Sequence, residues 1–309
     1  MITAAILLFL IGMGLLIKGA DYFVEGGGGL AARYGVSSAT IGFTVIAFGT
    51  SLPEFVVSVN AVISGNSGVA LGNALGSNIA NIALVLALCA LISPAMFMTG
   101  PSGKGRVQNE TILMIAATIF FALLALTGEL TWISGVLMLA AFGVILYIIW
   151  KKLGTEPVEK IETHGNMDWI LTAGGLLAVI IGSQLVLDSA ITLAEAFGIP
   201  EFVIGMTIVA FGTSLPELAT SLMAILRGDL GISAGNLMGS NIFNLLLVLG
   251  TGALIRPIPI PSYTDVLIVV AFSLAVIPIV KGKPTVIRAW AAVLVVAYFA
   301  YVISLYIGL

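Results

Sequence analysis

The sequence predicts an all-α polytopic membrane protein of about ten transmembrane helices, arranged as two inverted-topology five-helix repeats. Three observations carry this. Of 309 residues, 60% are hydrophobic and 9% charged, with a mean hydropathy of +1.17, whereas a soluble domain carries roughly 25% charged residues. Apolar stretches near or above the roughly 18–20 residues that cross a bilayer recur from end to end, and the short alternating segments of a β-barrel do not occur. Residues 35–92 align without a gap on residues 198–255, at a constant offset of 163, with roughly half the positions identical.

The first span, near residues 2–32, opens on MITAAILLFLIGMGLLI. It has no basic start and no small-residue cleavage site followed by polar chain, so it reads as a mature span rather than a removed signal peptide. Lys18 and Asp21 stand three apart on it, the spacing of a local ion pair. Gly26 to Gly29, near its end, suit either bending and close sliding or slack where the helix leaves the bilayer; the sequence leaves both open. Glu25 and Asp188 read as interfacial. Spans near 36–63 and 68–92 carry the first copy of the repeated motif. Cys89 is the only cysteine, so no internal disulfide is possible, and in its apolar run it reads as a small core residue. Spans near 109–128 and 131–150 are plainly apolar. Residues 151–167, KKLGTEPVEKIETHGNM, form the only polar connection of any length, a solvated linker with His164 exposed. Five further spans follow, near 168–196, 200–226, 231–255, 263–280 and 286–307. The chain therefore divides into an N-terminal repeat (1–150), a linker (151–167) and a C-terminal repeat (168–309).

Orientation follows from the basic residues. With the N-terminus outside, the loop cations from Arg33 through Lys151, Lys152 and Arg227 to Arg288 all fall on the cytoplasmic side, and only Arg256 falls outside. The expectation is a multi-pass protein of the cell membrane with both termini extracellular and the 151–167 loop cytoplasmic. Five spans per half make the second half enter the membrane from the opposite side. Inverted repeats of this kind are common in secondary transporters, whose substrate site lies near the midplane where the repeats meet.

The repeated segment reads TVIAFGTSLPEFVVS at 44–58 and TIVAFGTSLPELATS at 207–221. Ala47, Thr50, Ser51 and Glu54 follow helical spacing and line one face, as do Ala210, Thr213, Ser214 and Glu217. A carboxylate deep in a membrane is expensive and faces a cavity, a partner or an ion. Pro53 has no N–H, so the Gly49 carbonyl loses its usual partner and the turn is disturbed; Gly212 and Pro216 repeat the arrangement. Carbonyls freed at membrane depth must be satisfied by protein, water or an ion. Each GTSLPE thus offers backbone oxygens, two hydroxyls and a carboxylate within two turns, the chemistry of a hard-cation site. The next span in each half adds GNALGSNIAN (72–81) and GNLMGSNIFN (235–244). Ser77 and Asn81 share a face, as do Ser240 and Asn244. Asn73, Asn78, Asn236 and Asn241 supply further amides. Gly72, Gly76, Gly235 and Gly239 form small-xxx-small pairs for close helix approach. There is no CxxC, histidine cluster or P-loop, which disfavours a soft transition-metal site and ATP-driven pumping by this chain alone. No basic–aromatic tract suggests nucleic acid, no nucleophile–base set suggests an enzyme, and no cofactor or obligate protein partner is implied.

GTSLPE with GNALGSNIAN, repeated as GTSLPE with GNLMGSNIFN, closely resembles the two α-repeats of the sodium/calcium exchanger group in the cation/calcium antiporter superfamily. The likeness covers nearly the whole chain and fits a compact prokaryotic member. It implies an antiporter working by alternating access, with spans 1 and 6 sliding over the core. It also implies that Glu54 and Glu217 are carboxylates shared between Ca2+ and Na+, that Thr50 and Thr213 lend carbonyls to Ca2+, and that Ala47 and Ala210 lend carbonyls to Na+. Ser51, Ser77, Ser214 and Ser240 would lend hydroxyls, with Asn81 and Asn244 bordering the middle of the site. Some members, K+-dependent exchangers among them, carry aspartate where this chain has Asn244, which speaks against K+ co-transport. Two carboxylates facing each other across a small site would also attract protons, which compete with both ions. The alternative transporter reading is a Ca2+/H+ antiporter, against which the hydroxyl-rich motif speaks for Na+. An ion channel is a further alternative, to which repeat symmetry with midplane carboxylates prefers alternating access.

Overall fold

A backbone in hydrocarbon must satisfy its polar groups within its own segment, and the chain answers with helices. The computed structural model describes residues 2–98, 103–153, 163–198, 212 and 214–307. Among these, eight helices are long and apolar enough to span a membrane, nine when one bent pair is counted as a span. In chain order they are α1 (Ile2–Tyr34), the bent pair α2 (Ser38–Thr50) and α3 (Leu52–Ile63), α4 (Ser67–Ile92), α5 (Gly103–Ala125), α6 (Trp132–Lys151) and α7 (Met167–Ala196). The shorter α8 (Leu215–Leu226) precedes α9 (Leu230–Ile255), α10 (Tyr263–Lys281) and α11 (Pro284–Ile307). The seventh expected span, 200–226, enters the described residues only at Gly212 and from Ser214 onward, so α8 is its second half.

α4 and α9 are the central pair. Of their most apolar stretches 78% is buried inside the protein, against 22–39% for the other spans of that length. They are equivalent elements of the two repeats, and they meet at equivalent residues: Asn78 donates from Nδ2 to the carbonyl of Asn241 at 3.0 Å. These two asparagines are 163 apart, the offset of the repeat. Cys89 on α4 is free and fully buried, as its apolar setting requires.

The loops sort onto two faces, and their alternation is that of an inverted repeat. On one face Glu129–Leu130 pairs antiparallel with Ile258–Pro259, and Arg256 lies over the turn at Gly65. On the other, Arg33 donates to the Gly165 carbonyl and to Asn166 Oδ1, both at 3.1 Å. Arg227 there holds Asp21 and Glu25, each at 2.6 Å. Lys18 also approaches Asp21, at 3.6 Å, so the expected local pair exists but Asp21 and Glu25 are mainly tied to α8. Asp188, their counterpart side, accepts from Gln184 at 2.8 Å instead. His164 is partly exposed, as a linker residue should be, with its imidazole 3.4 Å from the buried Asp168 carboxylate.

α1 and α7 pack along one another through glycines. A β-carbon at Gly12 would sit 2.9 Å from the Val186 nitrogen, one at Gly19 2.7 Å from the Val179 nitrogen, and one at Gly26 2.5 Å from the Thr172 nitrogen. Gly175 and Gly182 receive α1 reciprocally. Gly12, Gly19 and Gly26 recur every seven residues, as do Gly175 and Gly182, so both helices present one small-residue stripe and their backbones touch. The four-glycine run is part of this: α1 continues through it unbroken to Tyr34. Gly26 admits the Thr172 backbone, Gly29 the Asp168 carboxylate, and Gly27 the Ile46 side chain. Close packing, rather than slack, explains these glycines. Gly235 and Gly239 likewise pack on the α2 backbone at Ala39 and Phe43. Gly72 and Gly76 have no described neighbour within 4 Å; the segment equivalent to α2, 199–211, lies outside the described residues.

Candidate ion-binding site

Proline sets the geometry of the site. α2 ends at Thr50, α3 begins at Leu52, and their axes meet at 47°. Ser51 forms the joint with φ −88° and ψ 5°, and Pro53 lies in the first turn of α3, where its missing N–H costs nothing. The second copy repeats this: Ser214 has φ −95° and ψ 9°, with Pro216 in the first turn of α8. Each break therefore places a glutamate, Glu54 or Glu217, in the first turn of a new helix, the end that favours negative charge. Both are buried, at 2% and 0% exposure.

Each glutamate's turn is fastened to the following span by an asparagine. Asn73 Nδ2 donates to the Glu54 carbonyl at 3.2 Å and to Ser58 Oγ at 2.9 Å. Asn236 Nδ2 donates to the Glu217 carbonyl at 3.5 Å and to Ser221 Oγ at 2.9 Å. Sequence reasoning grouped these asparagines only as nearby amides and missed the two serines. The signal was available: Ser58 and Ser221 are identical at the repeat offset, although neighbouring positions in the two helices differ.

The repeats interlock through the hydroxyls of the first motif. Thr50 Oγ1 donates to Asn236 Oδ1 at 3.0 Å and lies 3.4 Å from Ser240 Oγ. Ser51 Oγ donates to Glu217 Oε1 at 3.2 Å. The structure thus brings Thr50, Ser51, Glu217 and Ser240 into one network across the two halves. Ala47, Ser77, Asn81, Ser214 and Asn244 are buried as well. Ala210 and Thr213 lie outside the described residues.

The most informative feature is what these groups leave unpaired. Among the described residues, both oxygens of Glu54, Oε2 of Glu217, the amide groups of Asn81 and Asn244, and the hydroxyl of Ser214 are buried without a hydrogen-bond partner. Leaving one buried polar group unsatisfied costs about 1–3 kcal/mol, more when charged. Two of these residues are carboxylates, and a cation is the partner whose charge suits them. All the atoms on offer are oxygens and amides, suited to hard cations such as Ca2+ and Na+.

A second feature escaped sequence reasoning. Asn81–Leu86 and Phe243–Val248 are π-helical, so α4 and α9 each carry a wide turn at Asn81 and Asn244. Such turns occur mostly as single insertions and often at functional sites. Here they shift the register of each central helix at Asn81 and Asn244. Nothing in the local residue types marks them.

The family model described as sodium/calcium exchanger protein matches residues 4–151 and 167–307. The chain belongs to the sodium/calcium exchanger family. Among relatives, the sodium/calcium exchanger MaX1 of Methanosarcina acetivorans is 30% identical over 353 aligned positions, covering 99% of both chains. An uncharacterized membrane protein of Methanocaldococcus jannaschii is 36% identical over 301 positions, covering 96% of both. Among solved structures, the sodium-calcium exchanger NCX_Mj, soaked with zero Na+ and Ca2+, superimposes with a TM-score of 0.85 at 34% identity, over 99% of this chain and 100% of that one. The exchanger described here is thus a compact one, matched along its length by proteins of similar size. It is a multi-pass membrane transporter, not an enzyme, and exchanges Na+ for Ca2+.

Proposed function

We propose that Glu54 and Glu217 are the two carboxylates that hold the transported ions at the centre of the exchanger. Around them Ser51, Ser77, Ser214 and Ser240 supply hydroxyls, Ala47, Thr50, Ala210 and Thr213 supply carbonyls, and Asn81 and Asn244 border the middle. One observation supports this reading: three of the four oxygens of the two glutamates, and the amides of both asparagines, are buried without a hydrogen-bond partner among the described residues. Two negative charges offset one Ca2+, or several Na+ partly compensated by neutral oxygens. The same set therefore suits both ions in turn, and that mutual exclusion is what couples the two fluxes.

In this reading the repeats are functional halves, residues 1–150 and 168–309, each contributing one glutamate and one asparagine. The face carrying Arg33, Gly165 and Arg227 is cytoplasmic, because it gathers the basic residues. The face of Arg256 and of the 129–130 and 258–259 pairing is extracellular, with both termini, in the cell membrane. Protons compete with both ions at the carboxylates. The test is equilibrium Ca2+ binding to the purified protein, with Na+ as competitor. Wild type binds Ca2+ and releases it as Na+ rises; Glu54→Gln and Glu217→Gln each lose at least tenfold in Ca2+ affinity. Unchanged affinity in either folded variant rejects the assignment.

A further inference from the structure

Two apolar cavities flank the ion site, and each is a copy of the other. The first, about 730 Å3, lies between α1, α7, α8 and α11; the second, about 840 Å3, lies between α2, α6 and α7. Met13, Gly212 and Leu215 line the first. Leu176, Gly49 and Leu52 line the second. Each residue of one set is 163 away from its counterpart in the other, the offset of the repeat. Leu84 and Leu247, from the two π turns, obey the same relation. Both cavities therefore abut the GTSLPE break at its glycine and leucine, and both touch a π turn.

Their linings are predominantly apolar. In the second cavity the Thr44 and Thr172 hydroxyls are turned to the carbonyls of their own helices, Thr40 and Asp168, both at 2.7 Å. A buried water needs two to four polar partners; beyond these threonines the linings hold only Tyr298 in the first cavity and Tyr147 and Trp150 in the second as residues with side-chain polar atoms, and Tyr147 Oη accepts from Lys151 at 2.8 Å. The mouths are formed by exposed apolar residues of membrane-spanning helices, Phe299 and Ile303 at the first, Phe48 and Tyr147 at the second. They open to the acyl region of a bilayer, not to water. The volumes lie within the roughly 300–1,000 Å3 of pockets that enclose small ligands.

We propose that each cavity is a binding site for one acyl chain of a membrane phospholipid, inserted from the side and lying behind the helix break. Contact with the break runs through side chains that are themselves cavity walls. A β-carbon at Gly49 would crowd Phe23 and Leu176, and one at Gly212 would crowd Leu187. The chain thus supports a turn whose glycine has no side chain of its own to pack. The inference stands on the membrane fold and the paired cavities and does not depend on which residues bind ions.

The experiment uses the full-length protein in nanodiscs containing phosphatidylcholine with a photoreactive diazirine near the end of one acyl chain. Cross-linked peptides are mapped by mass spectrometry. Adducts should concentrate in two clusters, around Met13 and Val302 and around Val45 and Leu247. Ala190→Trp, which fills the first cavity, should reduce the first cluster several-fold and leave the second unchanged. Leu146→Trp at the second should do the converse, and either variant alone suffices if the other does not fold. Unlabelled phosphatidylcholine should compete and free oleate should not. Adducts spread over all lipid-facing spans in proportion to exposure, or clusters indifferent to both variants, would overturn the proposal. Displacement by oleate alone would overturn the phospholipid as occupant.

Discussion

Glu54 is a buried acid, and both its carboxylate oxygens lack a hydrogen-bond partner among the described residues. Glu54→Gln removes the charge and keeps the shape. It should abolish Ca2+ transport while monodispersity in detergent stays that of wild type, and near-normal flux in the purified variant would sink the role given to it. Asn73 and Asn236 make a graded prediction, because they hold the glutamate's turn without offering it a charge. Asn73→Ala removes the second donor to the Glu54 carbonyl and the donor to Ser58 Oγ, at about 0.5–1.5 kcal/mol for each hydrogen bond. Ca2+ affinity should fall several-fold with transport retained, and Asn73→Asp should lose the fastening as well, since a carboxylate has no N–H to donate. Ca2+ titrations of both variants check this; a wild-type affinity in Asn73→Ala would show that the fastening is idle. The glutamates, hydroxyls and asparagines of the proposed site stand out in the sequence because the motif occurs twice and polar residues are conspicuous in apolar helices. Which amide fastens and which stays open was not legible. Asn73 and Asn81 are the same residue type, and only the fold turns one toward Ser58 and leaves the other unpaired.

Among the elements, the α1–α7 pair and the Arg227 bracket carry the sharpest expectations. Gly19 and Gly182 lie where backbones touch, so Gly19→Leu must part the two helices. Overpacking of this kind costs about 1–3 kcal/mol, and thermal unfolding in detergent should shift down accordingly; an unchanged midpoint would contradict the packing. Arg227 holds Asp21 and Glu25 of α1 at 2.6 Å, with about a third of its side chain exposed. Solvent screening limits exposed pairs to about 0.2–1 kcal/mol each. Arg227→Gln should therefore leave the unfolding midpoint nearly unchanged and raise hydrogen exchange locally, around Phe23 to Gly27. No local change would mean that the bracket does not restrain α1. The described spans were readable from length and hydropathy within a few residues. The meaning of Gly26 to Gly29 was not, because a glycine run reads alike whether it bends, slackens or packs. The answer depends on Asp168 and Thr172, which lie more than a hundred residues away. The break at Ser51 was foreshadowed by Pro53, whereas the π turns at Asn81 and Phe243 left no mark in composition.

The whole molecule is a two-fold design in which inversion follows from five spans per repeat, and the offset of 163 reappears in the Asn78–Asn241 contact at its centre. A symmetric scaffold with one shared site can present that site to either side of the membrane, which is what exchange requires. If about three Na+ leave for each Ca2+ that enters, one net charge crosses per cycle, worth about 2.3 kcal/mol per 100 mV. Ca2+ uptake against outward Na+ should then speed up when the interior is positive and slow when it is negative; indifference to a potential set with K+ and valinomycin would exclude that stoichiometry. The central claim is that a Na+ gradient drives Ca2+ through a site made by both glutamates. Uptake of radiolabelled Ca2+ into proteoliposomes tests it most directly, with an outward Na+ gradient or an outward proton gradient imposed in turn, on wild type and on Glu54→Gln and Glu217→Gln. The account predicts rapid uptake by wild type with Na+ inside, little with the proton gradient alone, and none by either variant. Uptake driven equally by protons, or surviving in either variant, would contradict it.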